Sequence, residues 1–371
     1  MHVTCDKTAL SDALSVCVHA VAAKSPIPAL EGILFSVDKE KITLSGYNTQ
    51  MSIQKNLPCD TIETGACVLS ARIFFDIVRK LHGDQIEIQV DNDLNATIQC
   101  GKSVFNLKAE SADEYPDLPQ VNRSRGITLP CGLLRQMISD TIFAISTNEN
   151  KPVHTGSLFE IEGTDLRLIS VDGYRLAVRH ETVESFGGES FRFVVPGATL
   201  RELARILPDS DEPVSVYPES KHGLFEFHET IMTTRLLEGE FLNYRTAVPA
   251  DMPVRLTVNK SELVDAVERV SLIISERLKN PVRCLFEEET LKLSCVTALG
   301  RSYDAVTIPF CSEKIEIGFN NRYLLDALKA CPDEEVVLEL KSGLSPCLLK
   351  PLEGDQFLYL VLPVRLKAED L

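Results

Sequence analysis

Eleven cysteines, seven histidines and 54 carboxylates are the groups with which this chain could ligate a metal, attack a carbonyl or move a proton. Each of those tasks needs two or three such groups at a fixed spacing, and that spacing is missing. No two cysteines form a Cys-x-x-Cys pair; Cys17, between Val16 and Val18, and Cys295, beside Val296, sit in apolar runs as small buried hydrophobes of a reducing compartment do. The histidines (His2, His19, His82, His154, His180, His222 and His228) show no paired spacing, and Glu287-Glu288-Glu289 reads as solvated turn charge. His154 is expected at the surface or on a pocket rim. No phosphate-binding glycine loop, dinucleotide fingerprint, nucleophile elbow or His-Glu-x-x-His zinc helix occurs. The expectation is therefore no catalytic residue, no metal and no cofactor, in a chain that is not an enzyme. One segment differs: Gly173-Tyr174-Arg175 is a polar turn set inside an apolar stretch, a composition suited to recognition.

Hydrophobic periodicity shows what must hold such a segment. Asp6 to Lys24 places Leu10, Leu14, Cys17, Val18 and Val21 on one helical face before Pro26 and Pro28. Strands over 33–37 and 42–47 follow, then a helix from Ala71 to Leu81 with Ser70 as its N-cap. A hairpin comes next, with Ile86, Ile88 and Val90 alternating before strands over 96–100 and 104–107. The order recurs with helices over 131–146 and 198–207, and again over 260–275 and 322–331. The second helices align in register: they end at Leu81, Leu207 and Cys331, separations of 126 and 124 residues.

A length of 371 residues calls for two or three domains. Three blocks of one order and near-equal spacing make a tandem repeat, with domains over 1–122, 128–250 and 251–371. The fold class is α+β, each module pairing two helices with an antiparallel sheet. Three modules in an arc leave sheet edges open, and a second copy closes them head to tail into a six-module ring, about 60° per module. Met1 to Cys5 carry no secretory signal, and no apolar run approaches the roughly 18 residues of a membrane span, so a soluble cytoplasmic protein without a membrane partner is expected.

The net charge of −16 argues against nucleic acid when taken as a whole. Its distribution argues otherwise. The six expected helices, taken over 6–24, 71–82, 131–146, 198–208, 260–279 and 320–331, sum to +4, leaving −20 for the rest. Neutral-to-basic helices can face a polyanion while acidic sheets and loops repel it. A weakly cationic lining also suits a ring that must slide, because each phosphate contact adds affinity and salt dependence. No sequence-reading motif is present.

The whole chain resembles the bacterial DNA polymerase III beta subunit family, the sliding clamps. The residues that carry the resemblance are Ser170-Val171-Asp172-Gly173-Tyr174-Arg175-Leu176-Ala177, Gly239-Glu240-Phe241-Leu242-Asn243-Tyr244-Arg245, Ile317-Gly318-Phe319-Asn320 and Leu362-Pro363-Val364-Arg365-Leu366. Asp113-Glu114-Tyr115-Pro116 and Phe193-Val194-Val195-Pro196 support it, so the signals span all three repeats. The resemblance implies a head-to-tail homodimer, helices around the hole and sheets outside. It implies double-stranded DNA bound without regard to sequence. It also implies partners docking short peptides: the replicative polymerase alpha subunit, the clamp loader, repair polymerases and ligase.

The implied peptide pocket uses Thr155, Gly156, Leu158, Ser170, Gly173, Tyr174, Arg175, Leu176, Leu242, Thr246 and Ala247, joined by Asn320, Tyr323, Val361, Leu362, Pro363, Val364, Arg365 and Leu366. Its leucines, Val361 and Pro363 would form an apolar cleft, with Arg175 and backbone fixing polar groups of the peptide. The implied dimer contact sets Phe105 and Leu107 against Leu272 and Ile273 of the second copy. Lys24 stands where the family has a basic residue facing the hole; Arg72, Arg79, Lys80, Arg201, Arg205 and Lys329 are assigned to DNA from helix position. Leu242-Asn243 replaces the Pro-Asp of many members, Leu362 replaces a common Met, and Lys367–Leu371 extends past the usual end. The competing classes are an α+β metabolic enzyme, which lacks a reaction centre, and a protein scaffold that does not bind DNA, which leaves the charge asymmetry unexplained.

Overall fold

The computed structural model describes residues 1–186, 190–275 and 280–366. Among them are six α-helices: α1 Lys7–Cys17, α2 Ala71–Lys80, α3 Cys131–Thr141, α4 Gly197–Ile206, α5 Lys260–Ser271 and α6 Asn321–Ala330. The second helices start 126 and 124 residues apart, so the sequence register is the structural one.

Local chemistry sets several of their ends. Asp6 Oδ1 accepts from Ala9 N at 2.7 Å to open α1, and Asn259 and Asn320 cap α5 and α6 through their side-chain oxygens. Ser70 makes no side-chain cap bond, contrary to expectation. The helix expected over 6–24 ends at Cys17 in a 3-10 turn, Val18–Ala20. Val21 then turns extended and Ala22 N donates to Leu30 O, which ties the chain to its neighbour and leaves Lys24 on an exposed loop. The helix expected over 131–146 also stops early, where Thr141 Oγ1 donates to Met137 O within the last turn. The helix expected over 260–275 stops at Ser271, and its charged stretch 276–279 lies outside the described residues.

Two compact units result. The first is built chiefly from Met1–Leu134 and Arg205–Leu236. It holds a five-stranded sheet and a ten-stranded sheet, in which Met51–Pro58 of the first repeat pairs antiparallel with Thr230–Arg235 of the second. In that unit Tyr115 closes a small core over Leu30 and Val68, its hydroxyl donating to Ser45 O at 3.1 Å. The second unit comes chiefly from Arg135–Val183 and the chain from Leu237 onward. Its eight-stranded sheet repeats the device: Arg175–Thr182 of the second repeat pairs with Phe357–Val361 of the third. Val282–Thr297 and Gly300–Phe319 form a separate long ribbon. Adjacent repeats are thus fused by continuous sheets, which periodicity within one repeat could not reveal.

The second unit buries its sheet on both faces. On one, Phe357, Tyr359 and Val361 share a core with α5, α6 and Phe319 of the ribbon. On the other, Leu158, Ile169, Leu176, Val178 and Leu360 are covered by Phe241 and Tyr244.

Ten of the eleven cysteines are buried, and Cys59 alone is half-exposed. Burial pushes the thiols of Cys5, Cys17, Cys67, Cys284 and Cys331 up to about 12, so thiolate is scarce at neutral pH. A colorimetric thiol titration of the native protein is expected to release one equivalent, and a Cys59→Ser variant almost none. Rapid release of several equivalents before unfolding would contradict this packing.

Candidate partner-binding site

The site is centred on the turn that ends strand Asp165–Val171 and begins strand Arg175–Thr182. Asp172 Oδ1 accepts from the backbone N–H of Tyr174 (2.9 Å) and of Arg175 (3.0 Å), an Asx turn. Gly173 takes φ +91°, a left-handed conformation that favours glycine. The turn projects Tyr174, which is 60% exposed and stacks on Tyr323 of α6 with ring centroids 5.8 Å apart.

Arg175 is turned inward and only 8% exposed. Its Nε donates to Asp172 Oδ2 at 3.0 Å and its Nη1 to Asp326 Oδ2 of α6 at 2.5 Å. The guanidinium lies over the rings of Tyr323 and Phe143, 4.5 and 5.4 Å from their centroids. Burial first, then the Asp172 charge, raises the Tyr323 phenol above its ordinary value and keeps it neutral. Arg175 therefore locks the turn to α6. Its charge is already compensated.

Beneath the turn is a dry apolar floor of Leu158, Val171, Leu176, Phe241 and Leu360. Leu242 and Leu362 stand at its margin, 42% and 37% exposed. Leu362 N donates to Tyr174 O and Val364 N to Gly318 O, at 2.9 and 2.7 Å, so residues 362–364 are stitched along the site. Leu366 packs over Gly318, and Arg365 is exposed. His154 stacks edge-on to Phe241, and burial, then the Lys151 charge, hold its imidazole below its ordinary pKa.

Other expected site residues are differently occupied. The Ser170 hydroxyl is buried against that of Ser157 at 2.7 Å. Asn320 spends its side-chain oxygen on the α6 cap. Val361 faces the helix-side core with Tyr359, opposite Leu360. Thr155 and Thr246 donate their hydroxyls to Pro152 O and Asn243 O. Gly156 is buried, and Ala247 is exposed. Pro363 is half-buried.

Glu160 was not anticipated. It is 1% exposed and accepts from Tyr244 Oη (2.7 Å) and Arg245 Nη2 (2.7 Å), with Arg192 Nε at 3.2 Å. This clamp holds the Gly239–Arg245 segment, and with it Leu242, onto the sheet. An acid within the apolar run Leu158-Phe159-Glu160-Ile161 was its only sequence signal. Asp326 had none.

The remaining expected residues lie elsewhere. Arg72, Arg79, Lys80, Arg201, Arg205 and Lys329 are all exposed on their helices, Arg79 pairing with Asp76 and Lys329 with Glu268. Phe105 is 40% exposed on the open edge strand Ser103–Lys108, where Leu107 is half-buried. Leu272 is 84% exposed just past α5, with Ile273 half-buried. With observed bounds the six helices net +3.

Fused antiparallel sheets and repeated helix pairs, with an exposed aromatic turn locked to α6, define a clamp-type fold. Residues 1–119, 128–243 and 245–365 match the N-terminal, central and C-terminal domains of the DNA polymerase III beta subunit. A Bacillus subtilis protein named beta sliding clamp is 31% identical over 376 aligned residues, covering 98% of this chain and 100% of that one. A crystal structure of the DNA polymerase sliding clamp from Bacillus subtilis has a TM-score of 0.96 at 30% identity, covering 99% of this chain and 100% of that chain. The Pseudomonas aeruginosa sliding clamp, whose structure was solved bound to griselimycin, has a TM-score of 0.94 at 25% identity, with 99% and 100% covered.

The chain belongs to the DNA polymerase III beta subunit family. It is a DNA sliding clamp, a processivity factor and non-catalytic accessory subunit of a polymerase holoenzyme, built of three clamp domains. Among the described residues no helix is long and apolar enough to cross a membrane.

Proposed function

We propose that two copies close head to tail around duplex DNA, and that the cleft around Leu176, Leu242 and Leu362 takes short peptides of the proteins carried along it. The supporting observation is the strand pair that fuses adjacent repeats. The fourth strand of one repeat (Met51–Pro58, Arg175–Thr182) pairs with the last strand of the next (Thr230–Arg235, Phe357–Val361). Among the described residues one last strand, Ser103–Lys108, has a free outer edge beyond its pairing with Asn95–Cys100, and so does the third-repeat counterpart of the fourth strand, the start of Gly300–Phe319, beyond its pairing with 291–297. Both edges carry exposed apolar side chains: Val104 and Phe105 on one, Tyr303 and Phe310 on the other. A second copy would satisfy both edges twice by β-augmentation, with Leu272 and Ile273 near the seam.

The occupants of the cleft would be the replicative polymerase alpha subunit, the clamp loader, repair polymerases and ligase, in the bacterial cytoplasm. The griselimycin-bound relative supports a ligand-taking surface on this fold. DNA would be faced by Lys24, Arg72, Arg79, Lys80, Arg201, Arg205 and Lys329. The internal pairing of Arg79 and Lys329 suits loose, sequence-independent contact, because enclosure supplies retention and firm phosphate contacts would halt sliding. Incubated with loader, ATP and nicked circular DNA, the protein should remain bound through gel filtration. Cutting the circle should release it through the ends. Equal retention on circular and linear DNA would overturn the ring.

A further inference from the structure

The covered sheet face of the second unit continues beyond the peptide cleft. Antiparallel register places Val178 opposite Ile169 and Leu358, one row beyond the cleft-floor pair Leu176 and Leu360. The next row is ionic: Arg192, Glu160, Arg167 and His180 lie side by side across four strands. Over this boundary, beneath the segment 244–250, is a cavity of about 480 Å³ lined by Val178, Val248 and Leu358 on its apolar side and by Arg167, His180, Arg245 and Lys350 on its polar side.

Asp355 is the only carboxylate lining it among the described residues. The counter-ions of the cations, Glu160, Glu162, Asp165 and Glu339, stand outside the lining. His180 Nδ1 faces Asp355 at 3.1 Å, while its Nε2 is buried without a hydrogen-bond partner, the nearest carboxylate oxygen lying 3.5 Å away on Asp165.

We propose that this cavity binds an acidic–apolar peptide segment, an aliphatic side chain against Val178, Val248 and Leu358 with a carboxylate between Lys350 and Arg167. The source is a partner protein already held in the neighbouring cleft, whose acidic flank reaches along the same sheet face. The inference extends the peptide-cleft reading, yet its readout is separate. The C-terminal amide of N-acetyl-leucyl-glutamate and its neutral twin, the C-terminal amide of N-acetyl-leucyl-glutamine, are titrated into full-length, methyl-labelled protein.

The glutamate ligand should shift the Val178, Val248 and Leu358 methyl signals and bind at least fivefold more tightly than the glutamine twin. Lys350→Gln and Arg167→Gln, both at partly exposed positions, should each remove most of that preference while leaving the remaining methyl spectrum intact. Equal affinity of the twins, or shifts confined to Leu176, Leu242 and Leu362, would overturn the proposal. The latter result would leave the cleft reading standing. Cavity shifts without cleft binding by partner peptides would instead remove only the cleft reading.

Discussion

Glu160→Ala is expected to lower the stability of the second unit by about 3 kcal/mol, near the lower end for breaking a buried ion pair. The cost comes chiefly from the buried side. Removing the carboxylate strands the Tyr244 hydroxyl at a position only 5% exposed and leaves a void in a packed row. Arg245 and Arg192 are half-exposed, so water compensates much of their loss. Glu160→Gln keeps an acceptor for Tyr244 and should cost roughly half as much. Urea unfolding followed by circular dichroism measures both, read from the first transition because a chain of several domains need not unfold in one step. The functional consequence should follow the structural one: Leu242 rides on the segment that Glu160 holds, so peptide affinity should fall with stability. An unchanged midpoint for Glu160→Ala would show that Gly239–Arg245 is held by packing alone.

Arg175→Ala is expected to weaken partner-peptide binding at least tenfold, about 1.4 kcal/mol or more. The guanidinium joins Asp172 in the turn to Asp326 on α6 and supports Tyr323, on which Tyr174 stacks. Without it two carboxylates lose their cation and the aromatic ledge loses its base. Arg175→Lys should rescue little, because a point charge cannot span both carboxylates and lie flat on the ring. Fluorescence anisotropy with a labelled polymerase peptide reads affinity, and polymerase stimulation on primed circular DNA reads the consequence. Since the residue contacts only the turn and the aromatic ledge, the mass of the assembly in solution should stay unchanged. A lysine variant with full affinity would reduce Arg175 to a generic charge.

Much of this was legible in the sequence because it is periodic. Each helix must bury one stripe, so the spacing of Phe74, Leu200 and Leu324 marked the second helices and their common register. The Asp172-Gly173 pair announced a tight turn by chemistry confined to neighbouring residues. Helix ends were less legible: Cys17 and Thr141 end helices where contacts from elsewhere, or a side chain bonding back to the last turn, outweigh continued apolar spacing.

Composition and short-range pattern determined that this chain is a threefold α+β repeat, since repeats leave marks at fixed spacing. Tertiary structure decided the partners of each polar group. It set Arg175 on Asp326, 151 residues away, and Glu160 under Tyr244, 84 residues away. It also decided that Val361 faces one core and Leu360 the other. Sheet register across repeats makes those choices, and one residue of slip would reverse every face. Only when the strands were paired did the polar turn come to rest against α6.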